Sequence, residues 1–205
     1  MSLEDLNEKE FWHVQDSFST RRYSKLAKSR KGSCSRILDV GVGSGIGGII
    51  LKSVHPGALI YGVDIVESRT ISVPDVYKDV HYESATNTSF EDSFFDLIVA
   101  GEIIEHIPVD QVDAFFHEMF RVLSIGGTFS LTTPNPNDLK LRIRRGTNLG
   151  GSHLSQHFIR ETCSRLRMSG FRIRRVIGTG KTSIYIGNCF PKIFYGSYLV
   201  TAEKY

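Results

Sequence analysis

The chain has 205 residues, 40% of them hydrophobic and 23% charged, with a formal net charge of +3; that is enough for one substantial core and too little for two. Asp, Glu or Lys interrupts each apolar run before it could span a membrane, and the acidic start Met1-Ser-Leu-Glu-Asp-Leu lacks the basic-then-apolar plan of a signal peptide. Cys34, Cys163 and Cys189 form no C-x-x-C pair, which argues against a disulfide scaffold or a cysteine zinc cluster and predicts a reducing, cytoplasmic setting.

The segment up to about Lys31 reads as helical, with Phe11, Trp12, Phe18, Tyr23 and Leu26 as candidate buried positions, and Gly32-Ser33 breaks it. Ile37 to Val40 is an apolar strand that runs into a loop with glycine at 41, 43, 45 and 47. Ile46, Ile49, Ile50, Leu51 and Val54 then suit a helix lying on a sheet, ended by His55-Pro56-Gly57. Further strands are expected at Ala58 to Val63, Val80 to Ser84, Phe94 to Ala100 and Thr128 to Thr133. Before the last of these, Asp110 is placed to cap a helix with Val112, Phe115, Phe116, Met119, Phe120 and Leu123 as its apolar stripe, stopped by Gly126-Gly127. A polar, basic connection follows Pro134-Asn135-Pro136. After it come a helix near Ile159 to Ser169, a strand from Phe171 to Ile177 and a last strand near Ser197 to Ala202. Strands alternating with helices imply a mostly parallel sheet covered on both faces, in a single α/β domain over residues 1–205.

Glycine tolerates φ > 0 and lets backbone approach a ligand, because it has no Cβ to collide. A strand, a glycine loop and a helix in succession therefore make a nucleotide cradle, with amide N–H groups lining the turn. In such sheets the ligand lies beyond the strand C-termini, so the residues at those ends are the informative ones. Asp64 follows the second strand, where an acid can accept both ribose hydroxyl hydrogens; a helix N-cap is the plainer alternative.

Charge is unevenly distributed. From Arg21 to Arg36 there are seven Lys/Arg and no acid; from Ile37 to Leu139, four against fifteen Asp/Glu; from Lys140 to Lys181, eleven against Glu161 alone. An acidic core with a basic rim points to a partner carrying phosphate or carboxylate. Arg172, Arg174 and Arg175 also suit protection of an edge strand, and Arg160, Arg165 and Arg167 a solvated helix face. Leu139, Leu141 and Ile143 alternate with Lys140, Arg142, Arg144 and Arg145 as a half-buried amphipathic stretch would. Nucleic acid is not favoured, since no aromatic-interleaved platform is present.

Ile-Leu-Asp-Val-Gly-Val-Gly-Ser-Gly, Tyr61-Gly-Val-Asp64, Phe95-Asp-Leu-Ile-Val, Gly101-Glu-Ile-Ile-Glu-His106, Arg121-Val-Leu-Ser-Ile-Gly-Gly127 and Thr132-Thr-Pro-Asn135 occur in this order. Together they resemble the class I S-adenosylmethionine-dependent methyltransferases, in particular the broad group with the ubiquinone-biosynthesis O-methyltransferases and bacterial small-molecule enzymes. A dinucleotide fingerprint would place its third glycine at Ile46, which fits an NAD site poorly. The resemblance implies a Rossmann-like methyltransferase fold: a mostly parallel seven-stranded sheet, helices on both faces and an antiparallel last strand. It also implies an N-terminal helical lid over residues 1–33 and a substrate-side connection over residues 134–158.

The same resemblance implies S-adenosyl-L-methionine as cofactor, with Asp39 and the Gly41, Gly43 and Gly45 backbone holding its methionine part and Asp64 its ribose. Ser84 and Ala85 stand where relatives carry an acid that contacts adenine, so that contact would pass to the Ser84 hydroxyl or the Ala85 amide. Glu102 would face the cofactor's amino-acid end or the acceptor. Arg21 and Arg22 on the lid, with Lys140, Arg144 and Arg145 after the fifth strand, are the candidate acceptor contacts.

Methyl transfer requires alignment of nucleophile, methyl and sulfur with water excluded, and a hydroxyl acceptor must also lose its proton. Glu105, His106, His153 and His157 are the candidate bases. A metal-free site is expected; Glu102, Glu105 and His106 would share a face if the backbone turns helically there. With a distal histidine they resemble the metal site of the RNA 3′-terminal 2′-O-methyltransferases. The expected function is therefore methyl transfer to a small or lipid-linked anionic acceptor, most simply at oxygen. A metal-assisted RNA terminal enzyme and a non-catalytic S-adenosylmethionine-binding module are the alternatives. The acceptor pocket has candidate aromatic lining in Tyr185 and Phe190, which core packing would equally explain.

Overall fold

The computed structural model describes residues 17–67, 75–187 and 190–205. Phe11, Trp12, Pro74 and Cys189 lie outside the described residues, as does the side chain of Phe18. Helix α1 (Ser17–Ala27) precedes β1 (Arg36–Val40), α2 (Ile46–Val54), β2 (Leu59–Asp64), β3 (Tyr77–Tyr82) and β4 (Phe95–Gly101). A 3-10 turn (Ile104–His106), α3 (Val112–Val122), β5 (Leu123–Pro134), α4 (Leu139–Ile143) and α5 (Ile159–Met168) follow. The chain closes with β6 (Arg172–Thr179), α6 (Thr182–Ile186) and β7 (Ser197–Glu203). Among the described residues no helix is long and apolar enough to cross a membrane.

The seven strands form one sheet in the order β3-β2-β1-β4-β5-β7-β6. Pairing is parallel from β3 through β5, while β7 runs antiparallel to both β5 and β6. Strand order reverses between β1 and β4, so the crevice that such sheets offer to a ligand opens at the C-terminal ends of these two strands. The glycine loop leaves β1 at that point.

Strand alternation divides the core into two layers. Ile37, Ile60, Leu97 and Val99 pack with Tyr23 and Leu26 of α1 and Leu51 of α2. Leu38, Val40, Ile98 and Ala100 pack with Phe115, Phe116 and Met119 of α3 and Leu166 of α5 on the other face. Each large side chain fully buried in this way contributes roughly 1.5–3 kcal/mol. The same alternation puts Asp39 on the α1/α2 face, although it belongs to an otherwise apolar strand.

Several boundaries differ from the sequence expectation. Asp110 does not cap α3: Gln111 is the N-cap, and a turn in which its N–H donates to Pro108 O starts the helix. Gly126-Gly127 does not end that helix, which already stops at Val122; the glycines lie inside β5, where Gly126 takes φ +74°. Strand β3 starts three residues early, because Tyr77 pairs with Ile60 and its hydroxyl finds partners across the sheet. Leu139 to Ile143, expected as a half-buried amphipathic stretch, is a short helix capped by Asp138 in which Leu139 and Leu141 are half-buried while Ile143 is 73% exposed. Ile49 likewise points outward from α2, because the helix contacts the sheet through Gly47, Gly48 and Leu51. Edge strand β6 does carry Arg172, Arg174 and Arg175 as expected.

Candidate active site

The glycine loop is held in one shape by its own backbone and by Asp64. Gly41, Gly43 and Gly45 all take positive φ, at +78°, +50° and +78°. The Gly41 N–H donates to Val63 O (2.8 Å) and that of Gly45 to Val42 O (2.9 Å), leaving Gly45 as the N-cap of α2. A Cβ at Gly41 would strike Ile103, so the φ requirement and a close approach coincide there. Asp64, at the end of β2, accepts from Gly43 N–H at Oδ2 (2.9 Å) and from Val66 N–H at Oδ1 (3.0 Å). A carboxylate has about four lone-pair sites. Two bonds to backbone therefore orient Asp64 while leaving it capacity for a pair of hydroxyls.

Asp39 lies beneath the loop and is fully buried. Tyr23 of α1 donates its hydroxyl to Oδ1 (3.1 Å), and Tyr77 of β3 donates to Oδ2 (2.6 Å). The Tyr77 oxygen also accepts the Gly48 N–H (2.9 Å). Gly47 and Gly48 leave room for these rings, since a Cβ at either would collide with Tyr23 or Tyr77. Burial pushes the Asp39 carboxyl up to about 7, against the opposing effect of its two hydroxyl donors. Asp39 thus ties α1, β3 and α2 together under the loop, and both oxygens are engaged there rather than open to the crevice. Tyr23 was legible as a core residue; its hydroxyl contact and the whole of Tyr77's part were not, because both bonds cross between elements.

The residues after β4 form the facing wall. Glu102 takes φ +59°, uncommon for a residue with a Cβ, and its carboxylate lies 3.6 Å from Arg22 of α1. That left-handed residue precedes the 3-10 turn, so Glu102, Glu105 and His106 do not share one helical face. Glu105 is buried; it accepts from the Thr133 hydroxyl at Oε2 (3.0 Å), while Oε1 has no hydrogen-bond partner. Burial, then the nearby Glu102 charge, holds its carboxyl well above the usual range.

The connection after β5 is laced back onto this turn. Leu154 and Ser155 N–H donate to Glu105 O, and the Ser155 hydroxyl donates to Ile104 O and Ile107 O. A tight turn in which Gly150 and His153 exchange backbone bonds brings His153 beside His106, with ring centroids 4.9 Å apart. Ligand atoms of Glu105, His106 and His153 consequently lie within 4.8 Å of one another. The His153 Nδ1 faces Asn148 O (2.9 Å) and the His106 Nδ1 faces Ser152 O (3.2 Å) and Oγ (2.8 Å). A carbonyl only accepts, so in a neutral His153 ring Nδ1 carries the proton and Nε2 the lone pair.

Other expected positions fall outside this group. His157 is buried, with Nε2 bonded to Ile104 O (2.9 Å) and Ser155 Oγ (2.7 Å), and burial lowers its basicity; it braces the turn. Ser84 and Ala85 follow β3 at the crevice edge, the Ser84 hydroxyl bonded to that of Thr86 (2.8 Å). Arg21, Arg22 and Lys25 line a cavity of about 320 Å³ with Thr179, Gly180 and Ser183. Lys140, Arg144 and Arg145 are exposed on and after α4 and do not line it. Tyr185 and Phe190 are exposed, at 85% and 49%, whereas Tyr195 and Tyr198 fill the core.

Comparison with known proteins agrees with this geometry. The family described as methyltransferase domain matches residues 38–131. A Mycolicibacterium smegmatis protein named as a probable S-adenosylmethionine-dependent methyltransferase is 26% identical over 179 residues, covering 86% of this chain and 65% of its own length. A demethylmenaquinone methyltransferase from Roseiflexus castenholzii is 31% identical over 59% of this chain and 52% of its own. The chain thus spans between about half and two thirds of the length of these curated relatives. Among solved structures, a SAM-dependent methyltransferase from Thermotoga maritima superposes with a TM-score of 0.76 over the whole of both chains, at 17% identity. The match to a methyltransferase domain begins inside β1 and ends inside β5, and so takes in the glycine loop at the reversal of strand order, while the solved structures show that the chain has the fold of S-adenosylmethionine-dependent methyltransferases.

Proposed function

We propose that the protein transfers a methyl group from S-adenosyl-L-methionine to an oxygen of a small or lipid-linked anionic acceptor. The cofactor supplies a methyl group already activated by positive sulfur, so the protein's work is binding, alignment and proton removal. Gly41, Gly43 and Gly45 present backbone to the cofactor, Asp64 takes its ribose hydroxyls, and the Ser84–Ala85 edge takes its adenine. Glu102 faces its amino-acid end, and α1 acts as the lid.

The observation that carries an oxygen acceptor is the gathering of Glu105, His106 and His153 within 4.8 Å, the first two on the segment whose Ile103 touches Gly41. Three proton-accepting groups beside the cradle suit a nucleophile that must be deprotonated. Arg21 and Arg22 support an anionic acceptor, since both line the cavity beside Glu102. The relative named for demethylmenaquinone supports a small-molecule acceptor over a macromolecular one.

Calorimetry with S-adenosylmethionine and S-adenosylhomocysteine tests the cofactor layer: binding is expected, and its absence in the wild type removes the proposal. Transfer of labelled methyl into a small-molecule or lipid extract tests turnover. Binding without transfer to any extract would make the chain a cofactor-binding module instead.

A second reading places a metal ion on the same groups, favoured by the unpartnered Glu105 Oε1 and by His153, which replaces Glu102 in the triad. One carboxylate and two imidazoles suit zinc, manganese or iron better than magnesium. Second-row bonds from Ser152 and Asn148 orient the two rings as metal ligation requires. Loss of methyl transfer in chelator and its return with Mn²⁺ or Zn²⁺ selects this reading; chelator-resistant turnover selects the metal-free base.

A further inference from the structure

Two basic runs that are far apart in the chain meet across one cleft. The C-terminal half of α1 and the turn after it supply Ser24, Lys25, Lys28, Ser29, Arg30 and Lys31 as one wall. Arg174 and Arg175 of β6 form the other, and Thr128, Ile177, Leu199 and Thr201 of the sheet form the floor. The cleft encloses about 840 Å³, and six Lys/Arg line it against a single acid among the described residues, Glu203, which is already paired with Arg174 at 2.8 Å.

Three of the six cations, Lys25, Arg30 and Arg174, are held in place by bonds to the protein. Arg30 Nη1 donates to Gly126 O (2.7 Å) and Lys25 Nζ to Ser183 Oγ (3.0 Å). Fixing like charges around a concave surface costs free energy that an anion would recover. Lys25 registers this: burial lowers its ammonium's proton affinity first, and Arg175 and Arg21 lower it further. Two donors at the wall, Ser29 Oγ and Arg30 Nε, are buried without a hydrogen-bond partner.

The cleft also communicates with the active-site mouth. Ser24 and Lys25 line both it and the smaller cavity that holds Arg21 and Arg22. Cations therefore continue along one side of α1 from the Arg22–Glu102 pair to Lys31.

We propose that the cleft between α1 and strands β6 and β7 binds a soluble ligand carrying two or more phosphate groups. Guanidinium, ammonium and hydroxyl donors in one concavity match phosphate oxygens. The volume exceeds what one phosphate fills, and the two walls favour a compact ligand over a flat membrane. Among the described residues no aromatic side chain lines the cleft, so they provide no stacking platform for single-stranded nucleic acid. The inference stands apart from the identity of the methyl acceptor, because it is read by direct binding.

Inorganic tripolyphosphate titrated into the full chain at constant ionic strength, followed by calorimetry, is the test. Saturable binding is expected, weaker in the Lys28→Glu/Arg175→Glu double variant by about tenfold or more, as the loss of two charged contacts predicts. S-adenosylhomocysteine binding in that variant should stay within about twofold, and an unchanged unfolding temperature would confirm that the charge reversals left the fold intact. Absence of tripolyphosphate binding, equal binding by the double variant, or tighter binding of oligonucleotide or anionic vesicles than of tripolyphosphate would each overturn the proposal.

Discussion

The cofactor side and the acceptor side of this crevice are built in opposite ways. The loop after β1 is continuous in sequence and is braced by two acids, Asp64 bonded to two backbone amides and Asp39 to two tyrosines. The facing wall is assembled from segments about fifty residues apart and keeps a left-handed Glu102, an unpartnered Glu105 oxygen and the Nε2 lone pair of His153. Braced polar groups hold one shape, as the proposed binding of an invariant cofactor requires. Unsaturated ones are stable only when something else, such as a reacting acceptor or an ion, completes them.

The largest expected effect breaks the rigid side. Gly41→Val adds a Cβ at φ +78° where Ile103 already sits. Left-handed backbone and overpacking each cost about 1–3 kcal/mol. S-adenosylhomocysteine affinity should fall by about a hundredfold or more, and a wild-type titration curve would show that the loop is not the cradle.

Next, Glu105→Gln and His106→Ala should each lower kcat by about 10²–10⁴, the range of a lost general base. Cofactor affinity should change little. A parallel loss of cofactor binding would erase the division between the two sides. Tyr77→Phe acts between them: it removes the donor to Asp39 and the acceptor of Gly48 N–H, and should cost about 1–3 kcal/mol in urea unfolding.

A pH dependence sharpens the comparison further. The folded-state pKa of Asp39, about 7, lies above its unfolded value near 3.8. Its contribution is fully present below pH 4, and stability falls as pH rises through about 7, at up to about 1.4 kcal/mol per pH unit. Glu105 shifts in the same direction, so the informative quantity is the difference between wild type and Asp39→Asn. That difference should vary with pH between 4 and 7 and level off above; a flat difference would mean that Asp39 is ionised in the fold. The smallest effect is expected from Lys140→Ala/Arg144→Ala, less than about threefold on KM, since both positions are exposed and lie off the cavity that Arg21 and Arg22 line.

Much of this was readable because the interactions concerned are local. Hydrophobic runs marked all seven strands, and the spacing of four glycines before a helical pattern marked the loop. Errors arose where long-range pairing overrode local signals. Asp110 has a capping side chain, but the turn at Pro108 sets the helix start one residue later. His157 has the right residue type for a base, yet bonds to Ile104 and Ser155 bury it as a brace. Arg174 and Arg175 read as edge-strand residues, and they lie on the edge strand β6; only packing of α1 against the same sheet face made them a cleft wall as well.

By itself the sequence determined the α/β alternation, the glycine loop and Asp64 at the end of β2, because periodicity, missing Cβ atoms and strand ends are properties of neighbouring residues. Tertiary structure alone decided that Asp39 is held by Tyr23 and Tyr77, that His153 rather than Glu102 joins Glu105 and His106, and that two distant basic runs face each other. Each of those depends on where separate elements cross. No local pattern encodes such a crossing, since it is set by how the layers pack across a twisted sheet.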